Sequence, residues 1–245
     1  MKKTAVITGA TSGIGLATAR IFLKHDYAVA ALSVDSEEKV NRAMTALTDL
    51  GEVKYYPCNI ADNSEVSRTC RKIINDFGRI DVLVNNAGIV GKTFDFMDEN
   101  MLEDTKHVFD VNLIGTLQMS ATCAKQMIQQ GDGVIINVGS LSGEIVNGVS
   151  IGYAASKAAV HMATKVMARD LSQKGIRTVA VAPGCVATEL LPDEYKPYVS
   201  NLEMKKRPIE PEELAGAIWF MAQPEASAIN GSTVMADDGY CSFKM

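Results

Sequence analysis

The chain has 245 residues, 47% of them hydrophobic and 22% charged, with 19 glycines and a formal net charge of -5. That composition suits one soluble globular domain, at a length just below that at which single cores usually split. The acidic balance, with a sequence pI near 5.3, removes the usual electrostatic basis for nucleic-acid binding, which needs clustered Lys and Arg against phosphates. No stretch reaches the roughly 18 apolar residues of a membrane helix, and Met1 to Thr8 reads as a first strand and not as a signal peptide. A cytoplasmic protein is expected, with neither a membrane nor a nucleic-acid partner. Cys58, Cys70, Cys123, Cys185 and Cys241 include no Cys-x-x-Cys pair, so reduced thiols are expected and neither a disulfide framework nor a zinc site.

Apolar runs of strand length alternate with longer segments of helical period, without repeats or linkers. Strands are expected near residues 3–8, 27–33, 53–58, 80–85, 133–139, 177–182 and 232–236, with helices in most of the gaps. Val, Ile and Ala fill these runs on both side-chain parities, as in a parallel sheet covered on both faces. The prediction is a single α/β domain over residues 1–245, a Rossmann-type doubly wound parallel sheet of about seven strands with helices on both faces. Residues 188–207 break the rhythm with Pro192, Pro197, charges of both signs and the apolar Leu190, Leu191, Tyr195, Tyr198 and Met204. A flap over the substrate pocket is expected there.

Thr8-Gly-Ala-Thr-Ser-Gly-Ile-Gly15 follows the first strand and opens a helix. Its glycines, Gly9, Gly13 and Gly15, with Ser12 and Ile14 between them, allow a tight turn and close approach of a pyrophosphate to backbone N–H groups. At the end of the second strand Asp35 lies where an acid accepts from a ribose 2′-hydroxyl. Ser12, Ser33, Val34 and Ser36 carry no positive charge, while Asp35, Glu37 and Glu38 repel a 2′-phosphate. NAD(H) is therefore expected, with NADP(H) as the alternative; a solvated helix start accounts for the same acids.

Tyr153 and Lys157 are four residues apart, which stacks phenol and ammonium on one helical face. Ser140 closes the apolar run from Gly133 to Gly139, so its hydroxyl should emerge at a strand's carboxyl end, where open α/β sheets bind ligands. A tyrosine has a reference pKa of about 10; a lysine about 5 Å away at an effective dielectric near 20 lowers it by roughly 2 units. Lys157 is thus expected to bring Tyr153 close to neutrality for proton transfer, with Ser140 as a neutral donor to the substrate oxygen. The plainer alternative is an amphipathic helix face with a snorkelling lysine. His25, His107 and His161 show no triad or metal pattern and read as helix or surface residues. Cys185 reads as an inert thiol, and Lys205-Lys206-Arg207 as partners of Glu203, Glu210 and solvent, or as a contact for a phosphate of coenzyme A or for an acidic carrier protein.

With Asn85-Asn86-Ala87-Gly88, Asn112 and Pro183-Gly184 in order between these motifs, nearly the whole chain resembles the short-chain dehydrogenase/reductase family. The resemblance implies that Gly9, Ser12 and Ile14 belong to the pyrophosphate turn, and that Asn59, Ile60, Asn86, Ala87 and Gly88 border the adenine side. It implies that Pro183, Gly184, Val186 and Thr188 fix the carboxamide. Asn112, Ser140, Tyr153 and Lys157 match the catalytic set, Tyr153 as acid/base, Lys157 also on the nicotinamide ribose, and Asn112 holding a water relay by its main chain. Asn59-Ile60 departs from the family's Asp-Val, Ser33 stands where an NAD-type member has its acid, and Asp238 replaces the first glycine of the usual terminal pair.

The implied activity is NAD(P)(H)-dependent interconversion of a small-molecule secondary alcohol and a ketone. A 3-oxoacyl thioester (ACP or CoA) reductase is the substrate alternative, and a non-catalytic nucleotide-sensing protein the alternative of another class. The resemblance also implies a homo-oligomer, tetramer or dimer, through helices expected over about 100–130 and 152–173.

Overall fold

The computed structural model describes residues 2–92, 95–191, 199 and 203–242. Its strands are β1 (Thr4–Thr8), β2 (Ala28–Ser33), β3 (Val53–Pro57), β4 (Val82–Asn85), β5 (Gly133–Val138), β6 (Ile176–Pro183) and β7 (Thr233–Ala236). Its α-helices are α1 (Gly13–Lys24), α2 (Glu37–Thr48), α3 (Asn63–Phe77), α4 (Met101–Phe109), α5 (Thr116–Gln130), α6 (Ile151–Leu171) and α7 (Pro211–Ala222). The strands form one sheet in the order β3-β2-β1-β4-β5-β6-β7, and every pairing is parallel. This is the doubly wound architecture expected from the sequence.

The two-residue period of a strand explains why both parities are apolar. Ala5, Ile7, Val29, Ala31, Val82, Val84, Ile136, Val138, Val179 and Val181 share one core with Phe22 of α1 and Leu214, Ile218 and Met221 of α7. Their neighbours Val6, Ala30, Leu32, Leu83 and Ile135 share the other with Val66 and Ile73 of α3 and Met119, Cys123 and Met127 of α5. Burying each larger aliphatic or aromatic side chain is worth about 1.5–3 kcal/mol, so a sheet sandwiched this way is held from both sides.

Strand order reverses between β1 and β4, and crevices at such switch points bind ligands outside the strands' carboxyl ends. Two cross-links hold the switch closed. The Thr8 hydroxyl accepts from the Asn86 and Ala87 N–H groups, both at 3.0 Å. The Asn86 side-chain amide donates to the Thr8 carbonyl at 2.9 Å and the Gly9 carbonyl at 3.2 Å. One strand further, the buried Asn85 amide donates to Ser120 Oγ and Asn137 Oδ1, both at 2.9 Å, and Asn137 passes the chain to Thr164 Oγ1 at 2.8 Å.

The helix expected over 100–130 is interrupted. Residues Asp110–Gly115 form a π-helical turn between α4 and α5, a one-residue widening that no hydrophobic period reveals. Of the flap expected over 188–207, residues 192–198 and 200–202 lie outside the described residues; Leu190 is exposed and Val199 buried. Among the described residues, no helix is long and apolar enough to cross a membrane, no group of side chains could hold a metal ion, and no cysteine is joined in a disulfide.

The turn after β1 tolerates no side chain at Gly15, where an added Cβ would lie 2.1 Å from the Gly9 carbonyl oxygen. Gly15→Ala must open the turn, an overpacking cost of about 1–3 kcal/mol. Thermal unfolding should fall by several degrees for a domain of this size, and nucleotide titration should lose most of its affinity. A variant that kept both would contradict this reading of the turn.

Candidate active site

Helix α6 begins at the Ser150 cap, whose hydroxyl accepts from the Tyr153 N–H at 3.1 Å and donates to the Val90 carbonyl at 2.5 Å. That anchor fixes where the first turn, and with it Tyr153, stands against the loop after β4. One turn on, the buried Lys157 ammonium donates to the Val138 carbonyl at the end of β5, at 2.9 Å, and lies 5.7 Å from the Tyr153 ring centroid. Ser140 stands two residues past the strand; its hydroxyl lies near enough to the Tyr153 phenol to ease its ionisation and donates to Ser142 Oγ at 3.2 Å. Its Oγ also accepts from the Ser142 N–H at 3.1 Å. Ser140, Tyr153 and Lys157 thus come together at the carboxyl end of β5.

Asn112 sits in the π-helical turn, and its side chain is fully engaged. It accepts from the Ile89 N–H at 2.8 Å and donates to the Ile89 carbonyl at 2.9 Å and to Ser156 Oγ at 3.0 Å. A Cβ at Gly88 would fall 3.2 Å from Asn112 Oδ1 and 3.4 Å from Lys157 Nζ, so the three residues meet at one point. The side chain braces the loop after β4 against α6 and has no polar atom left for a substrate.

The residues expected to hold a dinucleotide lie at or just beyond the carboxyl ends of β1, β2, β3, β4 and β6. Gly9 and Gly13 turn the chain with φ of 65° and 48°, and Ser12 and Ile14 lie where α1 starts, with N–H groups open at a helix N-terminus. Thr188 reaches over from the loop after β6; its methyl would lie 3.0 Å from a Cβ at Gly13. Pro183 ends β6, the Gly184 N–H donates to the Ala236 carbonyl at 3.1 Å, and the buried Val186 bridges to Ile209. Asn59 and Ile60 follow β3, with Ile60 packed where Gly115 leaves room. Asn86 braces the first turn through its amide, while Ala87 and Gly88 carry the chain past it. A turn with room only for glycine, beside free helix N–H groups, fits a dinucleotide's phosphates.

A family model described as short chain dehydrogenase matches residues 3–198. The chain belongs to the short-chain dehydrogenase/reductase family. It is an NAD(P)-dependent oxidoreductase. It is 37% identical over 241 residues, 97% of each chain, to the 3-oxoacyl-[acyl-carrier-protein] reductase FabG of Thermotoga maritima. It is 31% identical to the D-threitol dehydrogenase of Mycolicibacterium smegmatis, over 97% of this chain and 92% of that one. Among solved structures, ElxO with NADP bound superposes with a TM-score of 0.89 at 31% identity, covering 99% of this chain and 100% of that one.

The charge state of this enzyme's central pair differs from the sequence expectation. Burial raises the Tyr153 phenol above its ordinary 10.0, against an opposing pull from the Ser140 hydroxyl and with a further rise from Cys185. Burial also lowers the Lys157 ammonium to about 8. Coulomb attraction to Lys157 alone would lower the phenol, but both groups are out of water, and among the chain's own groups that desolvation decides. Cys185 is itself pushed up to about 11 by burial, which keeps it an inert thiol as expected.

Several partners of this dehydrogenase/reductase site carry no pattern in the sequence. Asp35 is committed on both sides: the Thr11 hydroxyl donates to it, and Lys39, one turn into α2, lies 3.3 Å away and also 2.8 Å from Glu189. Burial opposes the Asp35 carboxylate, but Thr11 and Lys39 outweigh it and hold the acid below its ordinary range. The absence of a cation at this end, read from the sequence, is thereby corrected; only the i,i+4 spacing of Asp35 and Lys39 hints at it. Lys205 and Arg207 pair with Glu213 at 3.0 and 2.7 Å, and Lys205 also with Asp238; these acids, and not the expected Glu203 and Glu210, are the partners. His161 is neither exposed nor idle, since it touches the Ser140 loop.

Glu203 is fully buried. Its Oε1 accepts from the Cys185 N–H at 3.1 Å, and its Oε2 has no hydrogen-bond partner among the described residues. Burial, reinforced by Asp238 and Asp237 against the Cys185 N–H, raises it from 4.5 to about 7. A carboxyl raised on folding favours the protonated state, so its contribution to stability is present below about pH 4.5 and is lost as pH climbs through about 7. Glu203→Gln should therefore match wild type in thermal unfolding near pH 5 and exceed it by several degrees at pH 8. An equal difference at both pH values would contradict the buried acid.

Proposed function

We propose that this enzyme interconverts a secondary alcohol and a ketone, with Tyr153 exchanging the proton on the substrate oxygen and Ser140 orienting that oxygen. The observation that carries the proposal is the convergence of the Ser140 hydroxyl, the Tyr153 phenol and the Lys157 ammonium at the carboxyl end of β5, beside the glycine turn. A bound NAD(P) supplies or accepts the hydride. Tyr153 gives its proton to the oxygen as a ketone is reduced and takes it back as an alcohol is oxidised. Ser140, being neutral, serves both oxygen states without favouring one strongly. Lys157 carries positive charge next to the phenol and would bind the cofactor's nicotinamide ribose. Asn112 holds the loop after β4 and α6 at the separation this arrangement needs. Gly9, Ser12 and Ile14, with Asn59, Ile60, Asn86, Ala87 and Gly88 on one side and Pro183, Gly184, Val186 and Thr188 on the other, form the cofactor crevice.

The finer assignments follow from the same site. NAD(H) is the proposed cofactor, because Asp35 stays ionised at the crevice's adenosine end and Glu189 adds a second negative charge that Lys39 only partly offsets. The bound NADP of ElxO keeps NADP(H) as the alternative. A 3-oxoacyl thioester is the favoured substrate reading among ketones, supported by the 37% identical reductase of Thermotoga maritima. A polyol is the competing one, supported by the D-threitol dehydrogenase. Residues 188–207 are proposed as a flap on the pocket and the whole chain as one domain. A dimer or tetramer is proposed through α5 and α6, whose outward faces expose Ile128, Met162 and Val166.

Tyr153→Phe tests the central assignment. It should lower turnover of acetoacetyl-CoA, or of whichever ketone or alcohol the wild type accepts, by at least ~100-fold, while NADH titration gives an unchanged Kd. Turnover within a few-fold of wild type would remove Tyr153 from its role. The wild-type titration with NADH and NADPH decides the cofactor: tighter NADPH binding would contradict the Asp35 reading.

A further inference from the structure

Helix α6 presents a third polar side chain on the face that carries Tyr153 and Lys157. His161 lies one turn beyond Lys157, buried, with its ring against the loop that carries Ser140. The Ser140 N–H points at His161 Nε2 at 3.4 Å, and His161 Nδ1 lies 2.9 Å from Glu144 Oε1 at the end of the same loop. The ring occupies a slot that two glycines leave open. A Cβ at Gly139 would fall 2.2 Å from Nε2, and one at Gly143 would fall 2.8 Å from Cε1. A carboxylate only accepts hydrogen bonds, so its partner Nδ1 carries the proton and Nε2 is left with the lone pair. That tautomer matches the N–H of Ser140.

We propose that His161, oriented by Glu144, is a positioning residue that fixes the Ser140 loop so that the Ser140 hydroxyl faces Tyr153. The proposal rests on the role assigned to Ser140 above and adds a second support for it, independent of the hydrogen bonds within the loop. It also carries a pH dependence. An imidazolium has no lone pair at Nε2, so protonation turns the acceptor into a donor aimed at another N–H and pushes the loop away. The charged groups facing the ring are Glu144 from the loop and Lys157 and Lys165 from α6. Burial, helped by the two lysines and opposed by Glu144, lowers the imidazole below its ordinary 6.5. The neutral ring therefore persists through neutral pH, and the positioning is lost only in acid.

The test compares kcat against pH for wild type, His161→Leu, Glu144→Gln and Ser140→Ala, with the NADH Kd of each. His161→Leu keeps the volume and removes the acceptor; kcat should fall about 10–100-fold with Kd within about two-fold, and the acid limb should disappear. Should that variant fail to fold, Glu144→Gln decides alone, since Glu144 is half exposed and the amide still accepts from Nδ1. It should keep kcat near neutral pH and move the acid limb to lower pH, because a group that raises the imidazole pKa is gone. A purely packing role leaves the limb where it is in both variants and overturns the proposal. Ser140→Ala separates this from its premise. If Ser140→Ala loses turnover while the limb never moves, only the His161 assignment falls; if Ser140→Ala turns over normally, both fall.

Discussion

One buried ammonium organises the site. Lys157 is bonded to the Val138 carbonyl at the end of β5 and lies 5.7 Å from the Tyr153 ring. A charge taken out of water is costly unless partners surround it, so the last carbonyl of the strand, the start of α6 and the loop at Gly88 must all stay where they are. Each of those constraints is met by sequence-local chemistry: the Ser150 cap sets the helix start, Asn112 ties the loop after β4 to α6, and the Asn85–Asn137–Thr164 chain locks β4, β5 and α6 together. The Tyr153 phenol, the proposed acid/base, is thus held by the same contacts that keep the lysine dry.

That dryness has an electrostatic cost. Phenolate and ammonium are both disfavoured, so Tyr153 rises and Lys157 falls, each away from the ionised form. Proton exchange with a substrate oxygen needs the opposite for the phenol, at least when an alcohol is oxidised. A positive charge brought into the crevice by an oxidised nicotinamide cofactor works in that direction. The account therefore couples proton transfer to cofactor binding, with the chain's own residues holding the phenol as a stored acid until then.

Most of the fold was legible because it rests on periodicity. Runs such as Thr4–Thr8 and Ala28–Ser33 are apolar on both parities, and their burial on both faces follows from that alone. The residues proposed as catalytic were legible for a related reason, since Tyr153 and Lys157 are one helical turn apart and Ser140 follows a strand. What escaped is what depends on distant partners. The π-helical turn at Asp110–Gly115 leaves no trace in the hydrophobic period, and the Lys39–Glu189 pair joins residues far apart in sequence. Nothing around Glu203 or His161 in the sequence announces a buried acid or a ring held between Gly139 and Gly143. The direction of the Tyr153 shift escaped because distance alone enters a Coulomb estimate, whereas burial is known only once the chain is folded.

Ultraviolet difference titration of the phenol, wild type minus Tyr153→Phe, with and without oxidised cofactor, tests this coupling most directly. Without cofactor, the phenolate band assigned to Tyr153 should appear only above pH 10; with saturating oxidised cofactor it should appear at distinctly lower pH. A phenolate already present near neutrality in the protein alone, or a titration that the cofactor leaves unmoved, would contradict the claim that burial holds the proton and cofactor charge releases it.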